Sequence, residues 1–266
     1  GIHVVAADGG SSSDFLDELQ YFENQGLTLI KSKKAGLAPQ RKDSFEIATQ
    51  ISRAKAIVYL QPEKVHLVDF LERLVQPIID ETTDIVIPAR NQELFIKTYP
   101  NYMVSSEMQV NKTYNRLVKR FLERNGQLLE EDLDWFFGPF VFRNNPDIAP
   151  LFLESYVIPR KGIPSREDRV NAELKFEPES TTTQTYSASH YFPIIKALSQ
   201  GRKITKIEVP FEYPDTQFTN EERSQMRDEF IKRRKRDSLL YRFELLEIIK
   251  FLEGKDHNII YIGNSH

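Results

Sequence analysis

Within the first ninety residues, short apolar runs alternate with stretches whose apolar residues recur every three or four positions. Ile2 to Ala7, Leu27 to Ile30, Ala56 to Leu60 and "DIVIPAR" from Asp84 read as strands. Between them, Phe15, Leu19 and Phe22 mark a helix, with the hydroxyls of Ser11 to Ser13 available to cap it. Asp43 and Glu46 are spaced as a capping box opening a helix with Ile47 and Ile51 on one face. Leu67, Phe70, Leu71, Leu74, Val75 and Ile78 mark the clearest helix of all. Strands separated by helices of this length predict an α/β fold, a Rossmann-like mixed, mostly parallel sheet flanked by helices.

The second half is less regular. Tyr114, Leu117, Val118 and Phe121 form one helical stripe ending at Asn125-Gly126, and "DWFFGPFVFRNNP" is aromatic-rich and broken by Gly138-Pro139. A polar stretch from about 159 to 189 reads as a mobile loop. "KITKIEVPFEYP" alternates like a strand, and Thr219 to about Leu252 reads as a long helix, first charged and then apolar-striped. Three parts are expected: an α/β part over 1–142, a second part over 143–218, and a helical C-terminal extension with its tail over 219–266.

With 36 basic against 39 acidic residues, the net charge is -3, which gives no reason to expect a nucleic-acid partner. The absence of cysteine excludes disulfides and fits a cytoplasmic location. No apolar run is long enough for a transmembrane segment. The chain starts at Gly1 almost inside a strand, so further residues are expected upstream. In "NEERSQMRDEFIKRRKRDSLLYRF" the cations interleave with acids, and helical ion pairs on a solvated face are the simplest account. The stripe Leu239, Phe243, Leu246 and Ile249 is suited to packing on the sheet or to forming a homo-oligomer through the C-terminal helix.

Ligands of parallel α/β sheets bind beyond the carboxyl ends of the strands. The first strand ends in "AADGGSSSD", where Asp8 stands at the carboxyl end and Gly9 and Gly10 allow close backbone approach ahead of a helix N-terminus. Arg41 and Lys42 in "AGLAPQRKDSFEIA" are cations suited to a diphosphate. The third strand ends "VYLQPEK", where Glu63 could grip a divalent cation. Each also has a plain structural reading, as a helix cap or as solvated surface.

The order of these parts resembles the GT-A fold glycosyltransferases that use nucleotide sugars, particularly the family-2-type group. The resemblance covers roughly Ile2 to Phe142 and rests on order and spacing rather than on any one motif. It implies a transfer of a sugar from a nucleotide diphosphate donor to a small or soluble acceptor, assisted by Mg²⁺ or Mn²⁺. By the same resemblance, Asp8 accepts from base or ribose, Arg41 and Lys42 lie near base or diphosphate, and Glu63 stands at the second position of an Asp-x-Asp metal motif. Gln61 replaces the first aspartate, which leaves one hard anionic ligand fewer.

Inverting transfer needs a carboxylate to take the acceptor's proton. Asp132 and Asp134 precede the aromatic segment and Glu167 and Asp168 follow it; family order favours Asp168, and proximity to Trp135 favours Asp134. Trp135, beside the Gly138 break, is a candidate for stacking on a sugar face, although core packing is an equally ready account. His190, His257 and His266 are candidates to complete a metal shell, with His190 placed where the irregular loop returns to structure. A non-catalytic sugar-nucleotide-binding or scaffolding protein is the alternative, motivated by Gln61. A nucleotidyltransferase ranks last, because no glycine-rich basic phosphate loop is visible.

Overall fold

A computed structural model describes residues 1–32, 37–158, 186–222 and 227–263. The chain runs β1 (Val4–Asp8), α1 (Ser13–Tyr21), β2 (Leu27–Lys31), α2 (Leu37–Thr49), β3 (Ala56–Tyr59) and a 3-10 segment (Pro62–Phe70) leading into α3 (Leu71–Ile79). It continues through β4 (Ile85–Arg90), α4 (Gln92–Thr98), α5 (Asn101–Arg124), β5 (Phe140–Arg143), α6 (Ala149–Leu153) and β6 (Ser155–Val157). Then come α7 (Tyr186–Ser199), β7 (Ile204–Val209), α8 (Asp215–Glu222), α9 (Arg227–Leu252) and β8 (Ile260–Gly263).

The fold is α/β with a mixed sheet flanked by helices, but the sheet is not mostly parallel. Among the described residues, the central sheet has the order β3-β5-β4-β7. β5 runs antiparallel between β3 and β4, and only β4 and β7 pair in parallel. β1 and β2 form a separate parallel pair, and β6 and β8 an antiparallel one. The cause is in α5: it carries the chain away over 24 residues, about 36 Å at 1.5 Å per residue. The connector 125–139 then brings the chain back to the edge it left, so β5 must enter from there.

Alternation along the strands divides the core between the two sheet faces. Ile57, Ile85, Ile87, Phe140 and Phe142 face one cluster that also takes Phe45, Tyr114, Val118, Phe152, Ile195, Leu245 and Ile248. Val86, Val141 and Val209 face the other, with Leu67, Leu74, Ile78 and Phe95. The first cluster draws residues from each of the three parts expected from sequence, and α9 packs along α5 and α7.

Several boundaries differ from expectation. The helix expected to open at Asp43 starts at Leu37, so Asp43 instead accepts a hydrogen bond from Ser32 Oγ at 2.7 Å. The single helix expected from Leu67 is a 3-10 segment followed by α3. Of the expected loop 159–189, residues 186–189 belong to α7 and the remainder lies outside the described residues. The helix expected from Thr219 is described in two stretches, α8 and α9. No helix among the described residues is long and apolar enough to cross a membrane.

Candidate functional site

Because β3, β4 and β7 run the same way and β5 runs against them, three carboxyl ends and one amino end meet at a single sheet edge. A cleft of about 530 Å³ opens there. Gln61, Glu63 and Lys64 come from beyond β3, Arg90 from the end of β4, Phe136 and Phe137 from ahead of β5, and Phe211 and Tyr213 from beyond β7. The start of α2, the long helices α5 and α9, Tyr99, Tyr191 of α7, and Gln217 and Glu221 of α8 form the remaining walls.

Arg90 is the electrostatic anchor of the floor. Its Nε and Nη2 each donate to Asp134 at 2.8 Å, its amide donates to the same carboxylate at 3.1 Å, and Nη1 donates to Glu107. The guanidinium lies 3.9 Å from the centre of the Phe95 ring. Burial alone would raise the Asp134 pKa, but the charge and hydrogen bonds of Arg90 outweigh it and hold the carboxyl below its usual value. Asp134 is thus a poor proton acceptor, and it is not among the cleft-lining residues. Asp132, the neighbouring candidate, is exposed and pairs with Lys119 at 2.7 Å.

Trp135 is a core residue. Its ring is 2 % exposed, and Nε1 donates to Asn115 Oδ1 at 2.9 Å, so it presents no face to a sugar. Gly138 does touch the site's framework. Its φ is 106°, and a Cβ there would sit 2.3 Å from Gln61 Oε1. Gly138→Ala should therefore cost about 2–3 kcal/mol through strain and the displaced glutamine. Urea denaturation measures this loss.

The three strand tips expected to share a pocket do not all reach the cleft. Glu63 lines it; Asp8 and Arg41 do not. Asp8 accepts the amides of Gly10 at 3.0 Å and Ser11 at 2.9 Å, and hydrogen bonds from Ser11 hold its carboxyl below the usual range. The carboxylate closes the turn on its own amides, and the N-cap of α1 is Ser12, whose Oγ accepts from the Phe15 amide at 3.4 Å. Gly9 is where that turn meets α2, since a Cβ would sit 1.9 Å from Gln40 Nε2. Arg41 is buried, donating to Ser189 Oγ at 2.8 Å and Tyr59 Oη at 3.0 Å, which ties α2 to α7 and β3. Lys42 donates to Ser155 Oγ at 2.5 Å.

Gln61, Glu63 and His190 do not fit a divalent ion. The ammonium of Lys64 donates to Gln61 Oε1 and lies 3.1 Å from Glu63 Oε1, between the oxygens an ion would need. His190 is buried against Phe140 and Tyr191 and does not line the cleft. Burial, with the charges of Arg41 and Lys64, holds its imidazole well below its usual pKa, hence neutral. Among the described residues no group of three or more His, Cys, Asp or Glu is placed to hold a metal. His257 accepts the Ile259 amide at 3.1 Å and packs on Phe251. Asp168, Glu167 and His266 lie outside the described residues.

What sequence reasoning missed is α9. Arg233, Arg234, Arg236, Asp237, Leu240, Tyr241 and Glu244 all line the cleft, so the basic run is a wall of the site rather than only a solvated face. The signal was present in the spacing: 233, 236, 237, 240, 241 and 244 recur every three or four residues and share one helix face. Arg234 Nη1 donates to Glu107 at 3.1 Å, while Arg233 and Arg236 reach Asp237 only at 3.6 and 3.4 Å. Those two contacts are long beside the about 2.7–2.9 Å of a charge-assisted hydrogen bond. On the opposite side, Tyr102 and Tyr213 both donate to Glu221, at 2.7 and 2.8 Å.

In sum the cleft offers cations at several heights, aromatic faces and carboxylates, at the edge where α/β sheets bind ligands. Comparison with protein-family models, with curated protein sequences and with solved structures returns no significant match to this chain.

Proposed function

We propose that the cleft binds a nucleotide diphosphate sugar and transfers the sugar to a small or soluble acceptor. The observation that carries this reading is the set of cationic side chains, Lys64 from the 3-10 segment and Arg233, Arg234 and Arg236 from α9, that line one cleft at the sheet's carboxyl edge. Arg233 and Arg236 hold Asp237 loosely and have donors to offer a diphosphate. Phe136, Tyr213 and Tyr241, which line the cleft and are half-buried, give flat surfaces for a base or a sugar ring.

In this reading Asp237 is the proton acceptor. The acceptor hydroxyl attacks the anomeric carbon and gives its proton to Asp237, and the bond from that carbon to the diphosphate breaks. Its electron pair leaves on the diphosphate oxygen, where the fixed cations stabilise the new charge.

The test is a thermal-shift screen of UDP, GDP, ADP and their sugars, followed by transfer assays on those that bind. Asp237→Asn should leave diphosphate binding in place and lower the transfer rate by about 10²–10⁴-fold, the usual worth of a general base. If no nucleotide raises the midpoint, the reading fails. Binding without donor hydrolysis or transfer across a broad acceptor panel would instead identify a sugar-nucleotide-binding scaffold.

A further inference from the structure

We propose that the Lys64 ammonium is the fixed cation of the donor site, so that diphosphate binding and sugar departure proceed without a divalent ion; this rests on the nucleotide-sugar reading above. Lys64 follows directly on Gln61-Pro62-Glu63, at a kink inside the 3-10 segment where its backbone leaves helical values (φ -111°, ψ 29°). Its amide donates to Gln61 O at 2.8 Å. The side chain, only 13 % exposed, is held between Gln61 Oε1 and Glu63 Oε1 and lies 5.9 Å from the centre of the Phe137 ring. It lines the cleft while its methylenes are buried, so the charge sits at a defined point.

Charge balance agrees with this placement. Gln61 and Glu63 together carry one negative charge, which matches one ammonium. A dication is ordinarily gripped by hard oxygens with more than one carboxylate among them, at about 2.0–2.6 Å. Here the two oxygens are already hydrogen-bond acceptors for Lys64. A divalent ion would have to displace the ammonium to reach them. The departure from Asp-x-Asp noted in the sequence thus has a structural counterpart: the neutral amide suits an ammonium. In the transfer step, a Lys64 N–H donates to the departing diphosphate oxygen as the bond to the anomeric carbon breaks. No electron transfer and no further reactant is involved.

The experiment compares the full chain with UDP, GDP and ADP in EDTA and in millimolar MnCl₂, by thermal shift and calorimetry. The expected result is that the diphosphate that binds does so equally well under both conditions. Lys64→Met, checked for folding by circular dichroism, should then bind at least about tenfold more weakly, as loss of a charge-assisted contact implies. Added manganese should not restore it, whereas Lys64→Arg should keep binding within that margin. Binding that appears only with manganese overturns the inference and leaves the nucleotide-sugar reading standing. So does a Lys64→Met chain that binds as tightly as the original. Absence of binding by every diphosphate under both conditions overturns both, and the manganese arm on the unaltered chain keeps the outcome independent of any variant's folding.

Discussion

Replacing Asp134 by alanine should lower the unfolding free energy by about 3–5 kcal/mol, the cost of leaving a buried charge without its partner. The carboxylate accepts three hydrogen bonds from Arg90 and one from Asn111, at 2.8–3.1 Å. Its removal leaves Arg90, whose side chain is 2 % exposed, with Glu107, which is already shared with Arg234. Urea denaturation reads the effect as a lower midpoint with little change in slope. A double-mutant cycle with Arg90→Met should show strong coupling, because the second change removes the stranded charge. The pH dependence has a fixed sign. The Asp134 pKa is depressed in the folded chain, so its stabilisation is complete above the ordinary carboxylate range and is lost as pH falls below that range through the depressed folded value. Asp134→Asn should therefore flatten the stability profile on the acid side. An unchanged profile would mean that this carboxylate is not held as described.

Asn115→Ala should have an effect of similar size, about 3–5 kcal/mol, since it strands three buried polar groups at about 1–3 kcal/mol each, partly relieved by relaxation. Asn115 Oδ1 accepts from the Leu133 amide and from Trp135 Nε1, and its Nδ2 donates to Leu133 O, all at 2.9 Å. This one side chain fixes the connector that delivers Phe136, Phe137 and Gly138 to the cleft. Trp135 is the sole tryptophan, so its fluorescence reports on this place alone. A red shift of its emission in folded Asn115→Ala would mark loosening of the connector. Emission identical to that of the unaltered chain, with unchanged stability, would show that the clamp carries no weight.

The strands were the most legible part of the sequence. β4 is buried at all six positions, and Ile85 to Ala89 read as an unbroken apolar run, which is what burial on both faces produces. The direction of β5 was not legible. "FVFR" announces a core segment, but whether it runs with or against its neighbours depends on where α5 returns the chain, which no local pattern encodes. The site was legible at the tip of β3, where Gln61 and Glu63 were singled out, and not at β1, where the Asp-Gly turn closes on its own amides. Short polar turns look alike in sequence whether their carboxylate meets a ligand or the next amide, because both uses need the same residues. The arginines of α9 were set aside for a different reason. A run of charges suggests solvent when counted along the chain, and only its projection onto a helix face, joined to the apolar stripe beyond, places it against a cleft.

That continuity between charge and core has a mechanical consequence. α9 is one uninterrupted helix of 26 residues, about 39 Å long at 1.5 Å per residue. Its middle carries the cleft-lining side chains up to Glu244, while Leu245, Ile248 and Ile249 in the next turns are set into the main core. The helix behaves as a beam clamped at one end: tilting it to admit a bulkier guest would drag those three residues through close-packed surroundings. Adjustment on that side falls to side-chain rotation alone, so under the proposed reading the beam would limit the size of the guest.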